Sequence, residues 1–86
     1  MVALAVELVS PEKVVFEGEA EMVVARTTDG EIAFQPGHVP FLGVLIPGDI
    51  RVYTTDGAKT TIAVERGFVE IAHDSVSLLS DSATLS

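Results

Sequence analysis

The residues of this chain that could do chemistry are few and scattered. Its two imidazoles, His38 and His73, stand in different segments, and there is no cysteine. A metal centre built on nitrogen or sulfur needs several convergent ligands of those types, so none is predicted. Calcium could in principle use the 13 acidic residues. Their spacing lacks the alternating oxygen ligands of an EF-hand loop, and scattered carboxylates read as a solvated surface. Ser10, Ser75, Ser77, Ser80, Ser82 and Ser86 are the serine hydroxyls. None sits in the G-x-S-x-G elbow that lifts a nucleophile above a sheet, and no triad is predicted. Glycines abound in PGHVPFLGVLIPGD, Pro36 to Asp49, without either spacing that cradles phosphates. The expectation is a chain with no catalytic residue, no cofactor and no metal.

His38 has the most suggestive surroundings. Pro36 and Pro40 flank it, stiffening the loop and pushing Gln35 and Val39 toward extended backbone. A general base must also be held near its proton and tuned by a neighbour, and no such neighbour is visible. The imidazole therefore reads as a hydrogen-bonding partner of its own loop or as a contact residue; a small enzyme centred on His38 is the rival, and it requires a concave polar pocket there. The following run is more telling. VPFLGVLIPG carries Val39, Phe41, Leu42, Val44, Leu45 and Ile46 without a charge. A strand with one face in a core does not need large apolar residues on both. Either this strand is buried on both sides or a partner covers part of it. Met22, Val23 and Val24 raise the same question more weakly.

The elements that must position these residues are short and extended. VALAVELV alternates from Val2 through Leu4, Val6 and Leu8, the period of a half-buried strand, and Ser10-Pro11 ends it. KVVFEGEAEMVVART is read as one or two strands, with Gly18 at a break or bulge between Val14 to Glu17 and Ala20 to Arg26. After the Asp29-Gly30 turn come strands at Glu31 to Phe34 and Phe41 to Ile46. Pro47-Gly48 suits a type II turn. Ile50, Val52 and Thr54 alternate into Asp56-Gly57, a type I′ hairpin signal, and the chain returns along KTTIAVE. FVEIA, the turn HDS and VSLLS complete the pattern. No window of about eleven residues holds a 3.6-residue apolar period free of Gly or Pro, so no helix is predicted. Short strands with frequent turns predict an antiparallel sandwich or barrel.

Length and charge narrow the function. Eighty-six residues fit one domain, 1–86, with a single core. A net charge of -8, with only five Lys and Arg in no basic stripe, excludes nucleic acid and direct adhesion to anionic lipid as expectations. No apolar run approaches the ~18 residues that span a bilayer, and the N-terminus lacks a signal-peptide pattern. A soluble intracellular chain is expected, reaching a membrane only through another protein.

With loop and strands in place, the chain resembles the N-terminal β-sandwich of the epsilon subunit of bacterial and chloroplast F-type ATP synthases. The resemblance rests on DGEIAFQPGHVPFLGVLIPGDIRV (Asp29 to Val52), IAVERGFVEIAHDSVSLLSDSA (Ile62 to Ala83) and VELVSPEKVVFEGEAEMV (Val6 to Val23), and covers essentially the whole chain. It implies an all-β, about ten-stranded antiparallel sandwich, or flattened barrel, low on the rotor. One side would touch the gamma subunit and one end the loops of the membrane c-ring. Asp29, Gly30 and Glu31 match positions toward the c-ring; Ser10 and His38 match positions near gamma, with Val39, Pro40, Phe41 and Leu42 continuing that surface. The implied function is non-catalytic: fastening gamma to the ring so that proton transport, or sodium transport in some relatives, is coupled to ATP synthesis. The implied location is peripheral, on the cytoplasmic side of the cell membrane or the stromal side of a thylakoid. Ala33, and Arg66 before Gly67, stand where the family often has glycine. The family's helical hairpin of about forty residues after LLSDSA is absent, so restraint of hydrolysis and ATP binding are not implied for this chain. The alternative is a free-standing β-sandwich that binds an unrelated protein or ligand.

Overall fold

The computed structural model describes residues 3–85; Val2, the first member of the predicted alternation, lies outside them. Nine strands and no helix occur among the described residues: β1 (Leu4–Val9), β2 (Val14–Thr27), β3 (Gly30–Phe34), β4 (Phe41–Leu45), β5 (Gly48–Thr54), β6 (Lys59–Val64), β7 (Gly67–Ala72), β8 (Ser75–Ser80) and β9 (Ala83–Leu85). The predicted all-β sandwich is borne out. Its interior is one cluster of alternate residues, among them Leu4, Val6 and Leu8 of β1, Ile50 and Val52 of β5, Val69 and Ile71 of β7, and Val76 and Leu78 of β8. These are the inward positions of a period-two pattern, and each large aliphatic side chain buried this way is worth about 1.5–3 kcal/mol against exposure.

Two layers arise because β2 belongs to both. Its first half pairs antiparallel with β1, from Ala20 opposite Leu4 to Val14 opposite Val9. Its second half pairs with β5 and with β3. One layer reads β4, β7, β8, β1, β2; the other reads β3, β2, β5, β6, β9. Strands that pass between layers do so at bulges. The register shift lies between Ala20 and Met22, not at Gly18, which stays inside the 14-residue strand opposite Val6. Of the one or two strands expected in this stretch, the chain forms one.

Three further local expectations give way. β1 and β8 run parallel; no tight turn joins these distant segments, so nothing forces the antiparallel direction. Gly48 opens β5 with φ 158°, extended backbone and not the ~80° of a type II turn. Asp56 is not among the positive-φ residues, so Thr55 to Ala58 forms a wider loop in which the Gly57 N–H donates to the Thr54 carbonyl. The two-residue turn with both central φ angles positive is instead His73 (51°) and Asp74 (60°), joining β7 to β8.

Candidate docking surfaces

The loop between β3 and β4 is held at three points. The His38 N–H donates to the Gln35 carbonyl at 3.0 Å, and the Gly37 N–H donates to Asp74 Oδ1 at 2.8 Å. Gly37 has φ 88°, which suits a residue without Cβ. The His38 ring packs edge-on against Phe34, with centroids 5.1 Å apart, and its Nδ1 lies 2.7 Å from the Val39 carbonyl oxygen. Phe34 is fully buried and also touches Phe41, centroids 5.8 Å apart. The loop thus caps one end of the core, with His38 as part of the cap. Among the described residues no serine or carboxylate is hydrogen-bonded to the imidazole, which instead meets the carbonyl of its own loop.

Phe41 and Leu42 separate by role. Phe41 is half-buried against the core, its ring lying over Gly43, where a Cβ would meet it at 2.6 Å. Leu42 is 68% exposed and Val39 70% exposed, with Pro40 exposed between them. From Leu42 an apolar surface continues over strands that sequence reasoning did not single out. Val44 of β4 is opposite Phe68 of β7; Phe68 is opposite Leu79 of β8; Leu79 is opposite Val9 of β1; and Val9 is opposite Val14 of β2. All but Val9 are exposed large hydrophobics, Phe68 at 54%. The available signal was periodicity: Phe68 shares the outward register of Glu70, and Leu79 that of Ser75 and Ser77. Ser10 follows Val9 in the β1–β2 turn, where its N–H and Oγ both donate to the Lys13 carbonyl.

The third predicted group sits elsewhere. Thr28 and Asp29 form the loop between β2 and β3, tied by the Asp29 N–H to Thr27 Oγ1 at 3.0 Å and by that hydroxyl to the Gly30 carbonyl at 2.9 Å. Glu31, just past the tip, faces Arg51 at 3.1 Å and Arg26 at 3.8 Å. Asp49 joins them around a shallow polar depression on the outside of the second layer. Both arginines and the glutamate remain well exposed, so these ion pairs are worth little to stability. They make a surface carrying both signs of charge.

No group of three or more metal-ligating side chains occurs among the described residues. Among the described residues no helix is long and apolar enough to cross a membrane. Every buried side-chain nitrogen or oxygen among the described residues has a hydrogen-bond partner; Ser80, for example, accepts from Glu65 N–H and donates to the Ser82 carbonyl. The polar interior is thus satisfied structurally, and the distinctive features lie on the outside. The molecule is a small β-sandwich with an apolar outer face on one layer and a charged hairpin tip.

The chain belongs to the ATP synthase delta/epsilon chain β-sandwich family, whose family model, "ATP synthase, Delta/Epsilon chain, beta-sandwich domain", matches residues 3–86. It is 48% identical over 80 residues to the ATP synthase epsilon chain of Frankia casuarinae, covering 93% of this chain and 94% of that one. The epsilon chain of Streptomyces griseus is 48% identical over 82 residues, 95% of this chain and 66% of its own length. That of Micrococcus luteus is 45% identical over 85 residues, 99% of this chain and 93% of its own. The fold is shared with a chain of the Euglena gracilis mitochondrial ATP synthase, OSCP/F1/c-ring structure, with TM-score 0.92 at 20% identity over 99% of this chain and 54% of that one. A chain of the Tetrahymena thermophila synthase central stalk and c-ring structure matches with TM-score 0.80 at 18% identity, over 94% of this chain and 65% of that one.

Proposed function

We propose that this chain, as one domain over 1–86, is the non-catalytic rotor subunit that fastens gamma to the c-ring of an F-type synthase, coupling proton transport to ATP synthesis. Family membership supports the setting: the Euglena and Tetrahymena matches come from synthase structures that include a c-ring. The observation that carries the reading is the separation of two unlike exposed surfaces on one sandwich. Leu42, Val39 and their loop offer apolar contact on one side; Asp29, Gly30 and Glu31 offer a polar tip. A coupler needs two such contacts and a stiff body between them. It needs no cofactor and stabilises no transition state. In this reading the chain is peripheral to the membrane, on the cytoplasmic side or its stromal equivalent, and held there by its partners.

The test is affinity for the gamma subunit of the same synthase, measured by calorimetry. Leu42→Asp is expected to weaken binding by about 1–3 kcal/mol with melting unchanged, because the side chain is exposed until a partner covers it. Phe41→Asp is expected to destabilise the free chain, because that ring packs on Phe34. Sequence alone treated these two residues alike. Full affinity in Leu42→Asp, or no affinity in the unaltered chain, contradicts the reading.

A further inference from the structure

Two Asp-Gly pairs occur in the chain, Asp29-Gly30 and Asp56-Gly57. The first belongs to the charged tip; the second has no part in the proposed function. A glycine, lacking Cβ, leaves the amide that follows an aspartate unhindered. That nitrogen can attack the aspartate's own side-chain carboxyl and close a five-membered imide. Sequence context makes the two pairs equal candidates for this reaction. Their hydrogen bonds do not.

In the loop between β5 and β6 the Asp56 carboxylate folds back along the chain. Its Oδ1 accepts the Ala58 N–H at 3.2 Å and also accepts from the Thr54 hydroxyl, whose proton is shared with the Ala58 carbonyl at 3.1 Å. The bond to Ala58 makes an Asx turn. It lays the side chain over the intervening Gly57 peptide and keeps Cγ beside the Gly57 nitrogen, the proximity that an intramolecular attack requires. Asp56 and Gly57 are both exposed. Gly57 has φ 91° and nothing within 4 Å of where a Cβ would stand, so it has room to turn. Its N–H must leave only the Thr54 carbonyl, at 3.1 Å. Asp29 is held differently. Its N–H donates to Thr27 Oγ1 at 3.0 Å and that hydroxyl donates to the Gly30 carbonyl at 2.9 Å, gripping the main chain on both sides of the Asp29-Gly30 bond. Among the described residues no hydrogen bond folds the Asp29 carboxylate back over Gly30.

We propose that Asp56-Gly57 is a site of spontaneous aspartate isomerisation, promoted by Thr54 as a positioning residue, and that Asp29-Gly30 is spared. The Gly57 nitrogen bonds to Asp56 Cγ and gives up its proton, the Cγ–OH bond breaks, and the oxygen leaves as water. The Thr54 hydroxyl faces the carboxyl oxygen on which negative charge gathers during the attack. Water then opens the imide. Opening at Cγ restores aspartate; opening at the main-chain carbonyl carbon leaves the chain running through Cγ, one backbone atom longer and unchanged in mass. The uncharged carboxyl is the form that loses water, and the hydrogen bonds from Thr54 and Ala58 hold this group below the ordinary carboxylate range, so the reaction is followed in mild acid. The loop lies outside both groups assigned to docking, so binding of gamma or c-ring has no bearing on it.

The experiment incubates the folded chain in mildly acidic buffer and digests it with trypsin. Cleavage after Arg26, Arg51 and Lys59 places Asp29 in the peptide 27–51 and Asp56 in the peptide 52–59. Isoaspartate in each is measured by chromatography and electron-transfer mass spectrometry against synthetic peptides of both forms. It is expected to accumulate severalfold faster in 52–59 than in 27–51. Thr54→Val is expected to slow it severalfold, and Thr54→Ser, which keeps the hydroxyl, to stay near the unaltered rate; melting of each variant is recorded, and Thr54→Ala serves if Thr54→Val does not fold. Equal or faster isomerisation at Asp29 overturns the choice of site. A faster reaction in Thr54→Val, or one rate in all the chains, overturns the part given to Thr54. Absence of isoaspartate from the folded chain under conditions that isomerise the free 52–59 peptide overturns the proposal as a whole.

Discussion

At the scale of residues, the histidine that draws attention in the sequence owes its place to an aspartate that does not. Asp74 reads in the sequence as a turn residue, and so it is, with φ 60° in a two-residue hairpin. Its carboxylate also accepts the Gly37 N–H, 37 positions away, and so fixes the His38 loop. Asp74→Ala is expected to cost about 1–2 kcal/mol, speed hydrogen exchange at Gly37 and weaken gamma binding. Asp74→Asn keeps a side-chain carbonyl acceptor and tolerates the left-handed backbone, so it is expected to restore most of the Gly37 protection. Unchanged exchange at Gly37 in Asp74→Ala contradicts this placement. That the His38 imidazole bonds the backbone of its own loop was legible in the sequence, from the prolines on either side. The clamp was not, because a contact spanning that separation leaves no local pattern.

At the scale of elements, period-two alternation was a reliable guide wherever both inward neighbours were aliphatic, as in β1, β5, β7 and β8. It failed at glycines. Gly18 was read as a break or bulge, yet it sits in regular pairing with Val6, and an added Cβ would only touch Phe16 at 3.6 Å. Gly67 drew little notice, and there an added Cβ would fall 1.9 Å from the Leu79 carbonyl oxygen and 2.8 Å from Ser80 Cα. The difference lies in the neighbouring strand and not in the glycine's own sequence context. Gly67→Ala is therefore expected to push β7 from β8 and cost about 1–3 kcal/mol, a fall of roughly 4–8 °C in melting temperature for each kcal/mol in a domain this size. A melting temperature within a degree of the unaltered chain would contradict the close approach. Gly18→Ala is the matched control, with a smaller effect.

At the scale of the whole molecule, the surface divides into an acidic and apolar side and a tip where Glu31 meets Arg26 and Arg51. The net charge of -8 warned against nucleic acid and anionic lipid, but a total carries no map, and only the strand order gathers Glu7, Glu17 and Glu70 into one band. The excess of apolar residues after His38 was legible; its extension onto β7 and β8 needed the register. The central claim is that one rigid body holds two partners at once. It is tested most directly by immobilising detergent-solubilised c-ring and measuring capture of purified gamma with and without this chain. Capture is expected only with the chain present, to fall in Glu31→Arg through loss of the ring contact, and to fall in Leu42→Asp while the chain itself stays on the ring. Competition between gamma and c-ring for the chain, or capture of gamma that does not depend on it, would contradict the account.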